Sequence, residues 1–314
     1  GREFELGVSI GVTGVHAGCE GPSTLLTEAD RACYRAKYLG RGRVQVFSPD
    51  HTAPPVQPEP RLTAEELETA LSLGRLVLHW QPVERRVRPN GVLYREVLCR
   101  LSGEGGELLG PDNFMGVARR HGLLPQLDHL VIDQGLHRAK GLREEPAIGF
   151  NIGRESFLDD VFQKNVLQLV TAAGVPADRI WFELMEPDVS MALNEARRFV
   201  NALVSAGCRF ALDGVAGGLG TLQVVEALPI SAIKVGRPLV GSRERTPAAE
   251  GVLRAIMDIC SSNDIVMIAK DVVHHDEVER LGRMGVAHLQ GGALGPPEPM
   301  PDDGWPADPP IPST

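Results

Sequence analysis

Residues 94–101 read Tyr94-Arg95-Glu96-Val97-Leu98-Cys99-Arg100-Leu101. The alternation predicts a short strand that carries one acid, Glu96, and one base, Arg100, among apolar neighbours. Similar runs lie on either side of it. Leu76 to Val83 precedes it; Ala147 to Ile152, Ile180 to Met185, Arg209 to Asp213, Ala232 to Val235, Asp264 to Ala269 and His288 to Gln290 follow. Helical spacing fills the gaps at Asn113–His121, Gln126–Lys140, 157–173, 189–206, 219–227, 246–262 and 276–283. Eight strands separated mostly by helices imply an α/β protein with a largely parallel sheet. Eight such units favour a closed, TIM-like (β/α)8 barrel over an open sheet.

Pro and Gly punctuation brackets this domain at residues 62–300, near the roughly 250 residues typical of such barrels. Before it, residues 51–61 are a proline-rich stretch that predicts a stiff linker. Residues 1–50 form a smaller unit: a strand from Phe4 to Val12, a helix from Leu25 to Tyr38 and a strand from Val44 to Phe47. Residues 301–314 have the composition of a disordered tail. The chain is 43% hydrophobic and 23% charged, with a net charge of −9. Such a balance opposes binding to DNA or RNA polymers, whose phosphates attract basic surfaces, but leaves room for a small anion held by a few cations. No apolar run approaches the roughly 18 residues that span a bilayer, and no signal peptide opens the chain. Cys19, Cys33, Cys99, Cys208 and Cys260 contain no CxxC pair, which reads as reduced packing residues in a cytoplasmic protein.

In barrels of this kind, functional groups gather where the parallel strands end. Polar residues on or just past the expected strands are Gln81, Glu96, Arg100, Asn151, Glu183, Asp213, Lys234, Lys270, Asp271 and Gln290. Taken in order, they resemble the EAL family of cyclic-di-GMP phosphodiesterases. Trp80-Gln81-Pro82 looks like the family's first strand, and Glu96-Val97-Leu98 its signature, with Val97 for the usual alanine. Asn151, Glu183, Asp213, Lys234 and Gln290-Gly291 match its later motifs, and Glu186 falls where a glutamate supports the adjacent loop. The resemblance implies ligand contacts from Gln81, Glu96, Leu98, Arg100, Asn151, Asp213, Lys234 and Gln290, with Lys234 the catalytic lysine; Lys270, which departs from the family, is expected to join them as a cation for the ligand's phosphates. Ser9-Ile10-Gly11-Val12, Ala29-Asp30, Ala36-Lys37 and Gly40 to Val44 likewise resemble the end of a GGDEF domain, without that family's nucleotide-binding turn.

The departures fall at the chemistry. The second acid of the Asp-Asp pair is Gly214, the acid two places after Lys234 is Gly236, and two glutamates are replaced by Lys270 and Val273. Two-metal hydrolysis needs carboxylates that hold two cations about 3.5–4 Å apart. The remaining Glu96, Asn151, Glu183 and Asp213 would serve at most one residual Mg2+ or Mn2+ site. Asp271 is expected to point away from Lys270, since adjacent strand residues face opposite sides. The expectation is therefore a catalytically inactive receptor that binds cyclic-di-GMP without a required cofactor and relays its state to a signalling protein. Glu96-Val97-Leu98 and Phe114-Met115-Gly116-Val117-Ala118 are similar to FimX-type regulators, which implies a role in type IV pilus or motility control. The alternatives are a weak Mg2+- or Mn2+-dependent phosphodiesterase and an interaction module that no longer binds the dinucleotide; a homodimer is left open.

Plainer readings account for other motifs. Gly217-Gly218-Leu219-Gly220 reads as a turn rather than a phosphate loop. His274-His275 reads as a solvated helix start, and Thr63-Ala64-Glu65-Glu66 as a capping box rather than an acidic patch. Cys99 lacks a histidine partner and reads as a packing thiol.

Overall fold

The computed structural model describes residues 10–15, 25, 29, 32, 44–47, 62–86, 91–103, 105–140, 146–241 and 246–301. The expected linker at 51–61, most of the expected helix at Leu25–Tyr38 and the tail beyond residue 301 lie outside them. The chain forms two compact units, Gly1–Arg61 and Leu62–Thr314. In the first, Ile10–Val12 pairs in parallel with Val44–Val46, and Leu25, Ala29 and Ala32 are helical.

The second unit is a closed barrel of eight strands wrapped by helices. Its strands are β1 (Leu76–Arg85), β2 (Gly91–Ser102), β3 (Ala147–Ile152), β4 (Ile180–Met185), β5 (Arg209–Val215), β6 (Ala232–Val235), β7 (Val266–Ala269) and β8 (His288–Leu289). β2 through β8 pair in parallel with their neighbours in chain order. The first strand departs from the parallel pattern. β1 runs antiparallel to both β2 and β8 and so closes the ring. The physical cause lies in the connection: β1 and β2 are too close in sequence for a helical crossover, which parallel pairing requires, so they form a hairpin. A short strand, Glu298–Pro299, pairs with His79 and Trp80 of β1.

Alternation along β1 and β2 sorts side chains into two layers. Leu76, Leu78, Val97 and Leu101 enter the large core between strands and helices, together with Leu67 and Leu71 of the helix Ala64–Ser72. That helix begins with the expected box: Thr63 Oγ1 accepts from the Glu66 N–H, and the Thr63 N–H donates to the Glu66 carboxylate. Inside the barrel, Val83, Tyr94, Trp181, Ala211, Ala232 and Ile268 form a separate apolar plug. Tyr94 and Trp181 stack with centroids 4.8 Å apart. The plug closes the barrel below and gives the mouth a floor.

Gly291 shows how tightly the last turn is built. Its φ is +148°, and an added Cβ would lie 2.2 Å from the Val272 carbonyl oxygen and 2.4 Å from the Val272 nitrogen. Backbone cannot move aside as a flexible side chain can. Gly291→Ala is expected to destabilise the barrel by about 2–4 kcal/mol; urea unfolding of the variant checks this, and an unchanged midpoint would refute it.

Candidate functional site

Four strands bring charged groups together above the plug. Lys234, on β6, has no exposed surface. Its ammonium donates to Glu96 Oε2 of β2 at 2.7 Å and to Glu183 Oε2 of β4 at 2.6 Å. Three further donors complete the two carboxylates. Asn151 Nδ2 reaches Glu96 Oε1 at 2.6 Å, Gln290 Nε2 reaches Glu96 Oε2 at 2.7 Å, and the Tyr94 hydroxyl reaches Glu183 Oε1 at 2.8 Å. Buried charges persist only when paired and hydrogen-bonded, and here both acids are.

The environment drives the two acids apart. Burial pushes the Glu96 carboxyl up, but the Lys234 ammonium and the bonds from Lys234, Asn151 and Gln290 outweigh it, so it titrates at about 2. Burial also pushes Glu183 up, and the neighbouring charge of Glu96 adds to this against Lys234, leaving it at about 7. Lys234 is held above its ordinary range: burial opposes its charge, but Glu183 and Glu96 more than compensate.

A second ion pair lies nearer the opening. Lys270 Nζ is 2.7 Å from Asp213 Oδ2, with the lysine side chain 23% exposed and the aspartate 8%. The other Asp213 oxygen accepts the Gly214 N–H at 2.7 Å. The glycines that replace acids in the sequence are fitted to this arrangement. Gly214 lies at a bulge of β5 with φ +68°, and an added Cβ would be 2.6 Å from Met185 Cε. A Cβ at Gly236 would meet Asp271 Oδ2 at 3.1 Å and Lys270 Cε at 3.5 Å.

That last contact corrects the expectation that Asp271 faces away from Lys270. β7 ends at Ala269, and Asp271 adopts φ +59°, so strand alternation no longer applies; both side chains approach Gly236. Gln81 is placed by the antiparallel β1 in register with Glu96 rather than at a strand end, and its Nε2 donates to the Gly295 carbonyl at 2.9 Å. Leu98 and Arg100 are half-buried on the inward side of β2, and Arg100 donates to the Cys99 carbonyl at 2.8 Å. Asn151 is exposed at the opening despite its bond to Glu96. Glu186 accepts from the Thr221 hydroxyl at 2.9 Å and the Ala216 N–H at 3.4 Å, which ties down the glycine-rich loop. Tyr94 was missed because an aromatic in a strand reads as core. Its position two residues before Glu96, on the same strand face, is the signal that could have found it.

Glu96, Asn151, Glu183 and Asp213 do not fit a divalent cation as they stand here. Two ammonium groups occupy the space between the carboxylates, every carboxylate oxygen has a protein donor, and among the described residues no three His, Cys, Asp or Glu side chains converge to hold a metal. His274 and His275 are exposed at the start of the helix His275–Met284, where the His274 N–H donates to Glu277. Cys99 is half-buried against the outer core, and burial pushes its thiol up to about 11. Among the described residues no helix is long and apolar enough to cross a membrane.

An eight-stranded barrel with an acid–lysine cluster at its mouth and an antiparallel first strand defines a distinct class among α/β barrels. Residues 64–297 match the EAL domain model, and the chain belongs to the EAL domain family. It is 24% identical over 300 residues to the cyclic di-GMP phosphodiesterase PdeB of Shewanella oneidensis, covering 95% of this chain and 35% of that protein. The chain spans about a third of the length of the curated relatives it matches. Two solved folds superpose well. The FimX EAL domain of Xanthomonas citri, in complex with c-diGMP, has a TM-score of 0.68 at 24% identity, covering 75% of this chain and 92% of that one. The FimX EAL domain of Pseudomonas aeruginosa, bound to c-di-GMP, has a TM-score of 0.67 at 21% identity, covering 74% and 94%.

Removing Lys234 alone strands two buried acids. Lys234→Met is expected to cost about 3–5 kcal/mol in urea unfolding, whereas Lys234→Met with Glu96→Gln and Glu183→Gln costs less, because no uncompensated charge remains. A triple variant weaker than the single would refute the ion-pair account. Acid should act through Glu96. Its folded value of about 2 lies below the ordinary 4.5, so its stabilisation is present above pH 4.5 and is lost as pH falls toward 2. The stability gap between wild type and Glu96→Gln is therefore expected to narrow over that window, and a constant gap would count against it.

Proposed function

We propose that this chain is a receptor for cyclic-di-GMP built on an EAL barrel that no longer hydrolyses the dinucleotide. The observation that carries this reading is Lys270, whose ammonium pairs with Asp213 beside Gly236. Hydrolysis by two metals places two coordinated cations among carboxylates. Here two fixed ammonium groups pair with the three acids Glu96, Glu183 and Asp213. Gly214 and Gly236 supply no carboxylate, and their surroundings leave little room for one.

The dinucleotide carries two phosphates. Arg100, with five N–H donors, can bind phosphate oxygens in pairs, and Lys270 is exposed enough to exchange Asp213 for a phosphate. Gln81, Leu98, Asn151 and Gln290 would line the remaining pocket. Family membership and the names of the relatives support the ligand: PdeB is a cyclic di-GMP phosphodiesterase, and both FimX domains were solved with c-di-GMP. The likeness to FimX extends the proposal to a protein partner in type IV pilus or motility control. The resemblance of Ser9 to Val12, Ala29-Asp30, Ala36-Lys37 and Gly40 to Val44 to the end of a GGDEF domain extends it to a GGDEF-EAL tandem.

Calorimetric titration is expected to give cyclic-di-GMP binding of equal strength with and without Mg2+ or Mn2+, weakened at least about tenfold by Lys270→Glu. Overnight incubation with excess Mn2+ is expected to yield no linear pGpG by chromatography. Appreciable pGpG would replace the receptor with a weak phosphodiesterase. A folded protein that fails to bind would leave only an interaction module.

A further inference from the structure

The inner face of β1 carries a residue that no part of the charge cluster uses. In an antiparallel pair, directly opposed residues point to the same side of the sheet. Gln81 opposes Glu96 and His79 opposes Leu98, so His79 lies on the inward face, two residues from Gln81. Leu78, the residue before His79, is in the outer core, as this alternation requires. His79 is only 9% exposed, and its Nδ1 is buried without a hydrogen-bond partner.

The neighbouring polar groups are otherwise engaged. Gln81 is held by the Gly295 carbonyl, and Glu96 takes donors from Lys234, Asn151 and Gln290. Arg100, diagonal to His79 across the pair, bonds to the Cys99 carbonyl with one of its donors. More than nine in ten buried polar groups in proteins find a partner, and leaving one unmet costs about 1–3 kcal/mol. A partner from outside the chain resolves this.

We infer that His79 is a ligand-contacting residue of the barrel mouth, its ring nitrogen completing a hydrogen bond with a bound cyclic dinucleotide beside Arg100. This rests on the cyclic-di-GMP reading above. Burial, and then the Arg100 charge, lower the imidazole's pKa and favour the neutral ring. It therefore acts as a hydrogen-bonding group with one donor and one acceptor and not as a second cation. The segment Glu298–Pro299 and the bond from the Met300 N–H to the Leu78 carbonyl fix β1 from its other edge, so the ring is presented by rigid backbone.

The test uses the whole chain and cyclic-di-GMP. His79→Phe keeps a flat aromatic ring, one atom larger, and removes both nitrogens. It is expected to raise Kd about tenfold, equivalent to about 1.4 kcal/mol, without lowering the Tm of the ligand-free protein. His79→Asn, whose amide reaches the Nδ1 position, is expected to stay within about threefold of wild type. In long-range 1H–15N spectra the His79 Nδ1 resonance is expected to shift on saturation. An unchanged resonance, or equal weakening by both variants, overturns the inference, the latter because it marks ring packing. If His79→Phe binds as wild type while Arg100→Met is weakened, His79 is excluded and the receptor stands. If wild type does not bind, both fall.

Discussion

Lys234 has no exposed surface, and its charge is sustained because Glu96 and Glu183 face it at 2.7 and 2.6 Å. These three residues come from β6, β2 and β4, strands that are not neighbours in the ring. The ion pairs therefore span the barrel interior rather than run along one edge. They form at all only if the barrel is closed with the right register, and the plug of Tyr94, Trp181 and their neighbours must set the height at which the ammonium sits. Tyr94 couples the two layers directly: its ring belongs to the plug, and its hydroxyl completes Glu183. Burying charges is expensive, so this cluster is better understood as fixing geometry than as adding stability.

The antiparallel β1 has a matching consequence. A parallel first strand would present its C-terminal end at the mouth, whereas the hairpin presents its N-terminal half. His79 and Gln81 thereby lie opposite Leu98 and Glu96. The hairpin gives the pocket a continuous wall of two strands, and the Glu298–Pro299 strand braces it.

Periodicity was enough to find all eight strands, because each is a short apolar run bounded by turns or helices. It also placed Glu96, Asn151, Glu183, Asp213, Lys234 and Gln290 on or just past such runs. Strand direction was not legible, since a period of two is the same in either sense. Only the short link between Val83 and Tyr94 hinted at a hairpin. Asp271 was misplaced for a related reason: alternation was carried past Ala269, where the strand stops, and Asp271 takes up a left-handed backbone, which aspartate adopts more readily than most residues. Tyr94 and His79 were passed over because their value depends on which face of the strand meets which neighbour, and that is set by pairing.

Catalysis and recognition ask different things of the same carboxylates. A hydrolytic pair of metals brings positive charge that is not part of the chain, and it needs acids left free to receive it. In this barrel the acids are already answered by ammonium groups attached to the chain. In the proposed receptor, exchange of one fixed pair, Lys270 with Asp213, would admit the anion, because Lys270 is partly exposed while Lys234 is not. The mouth is thus divided by depth. The inner cluster ties strands across the barrel, and the outer pair, with Arg100 on β2, is where the proposed ligand's phosphate would compete.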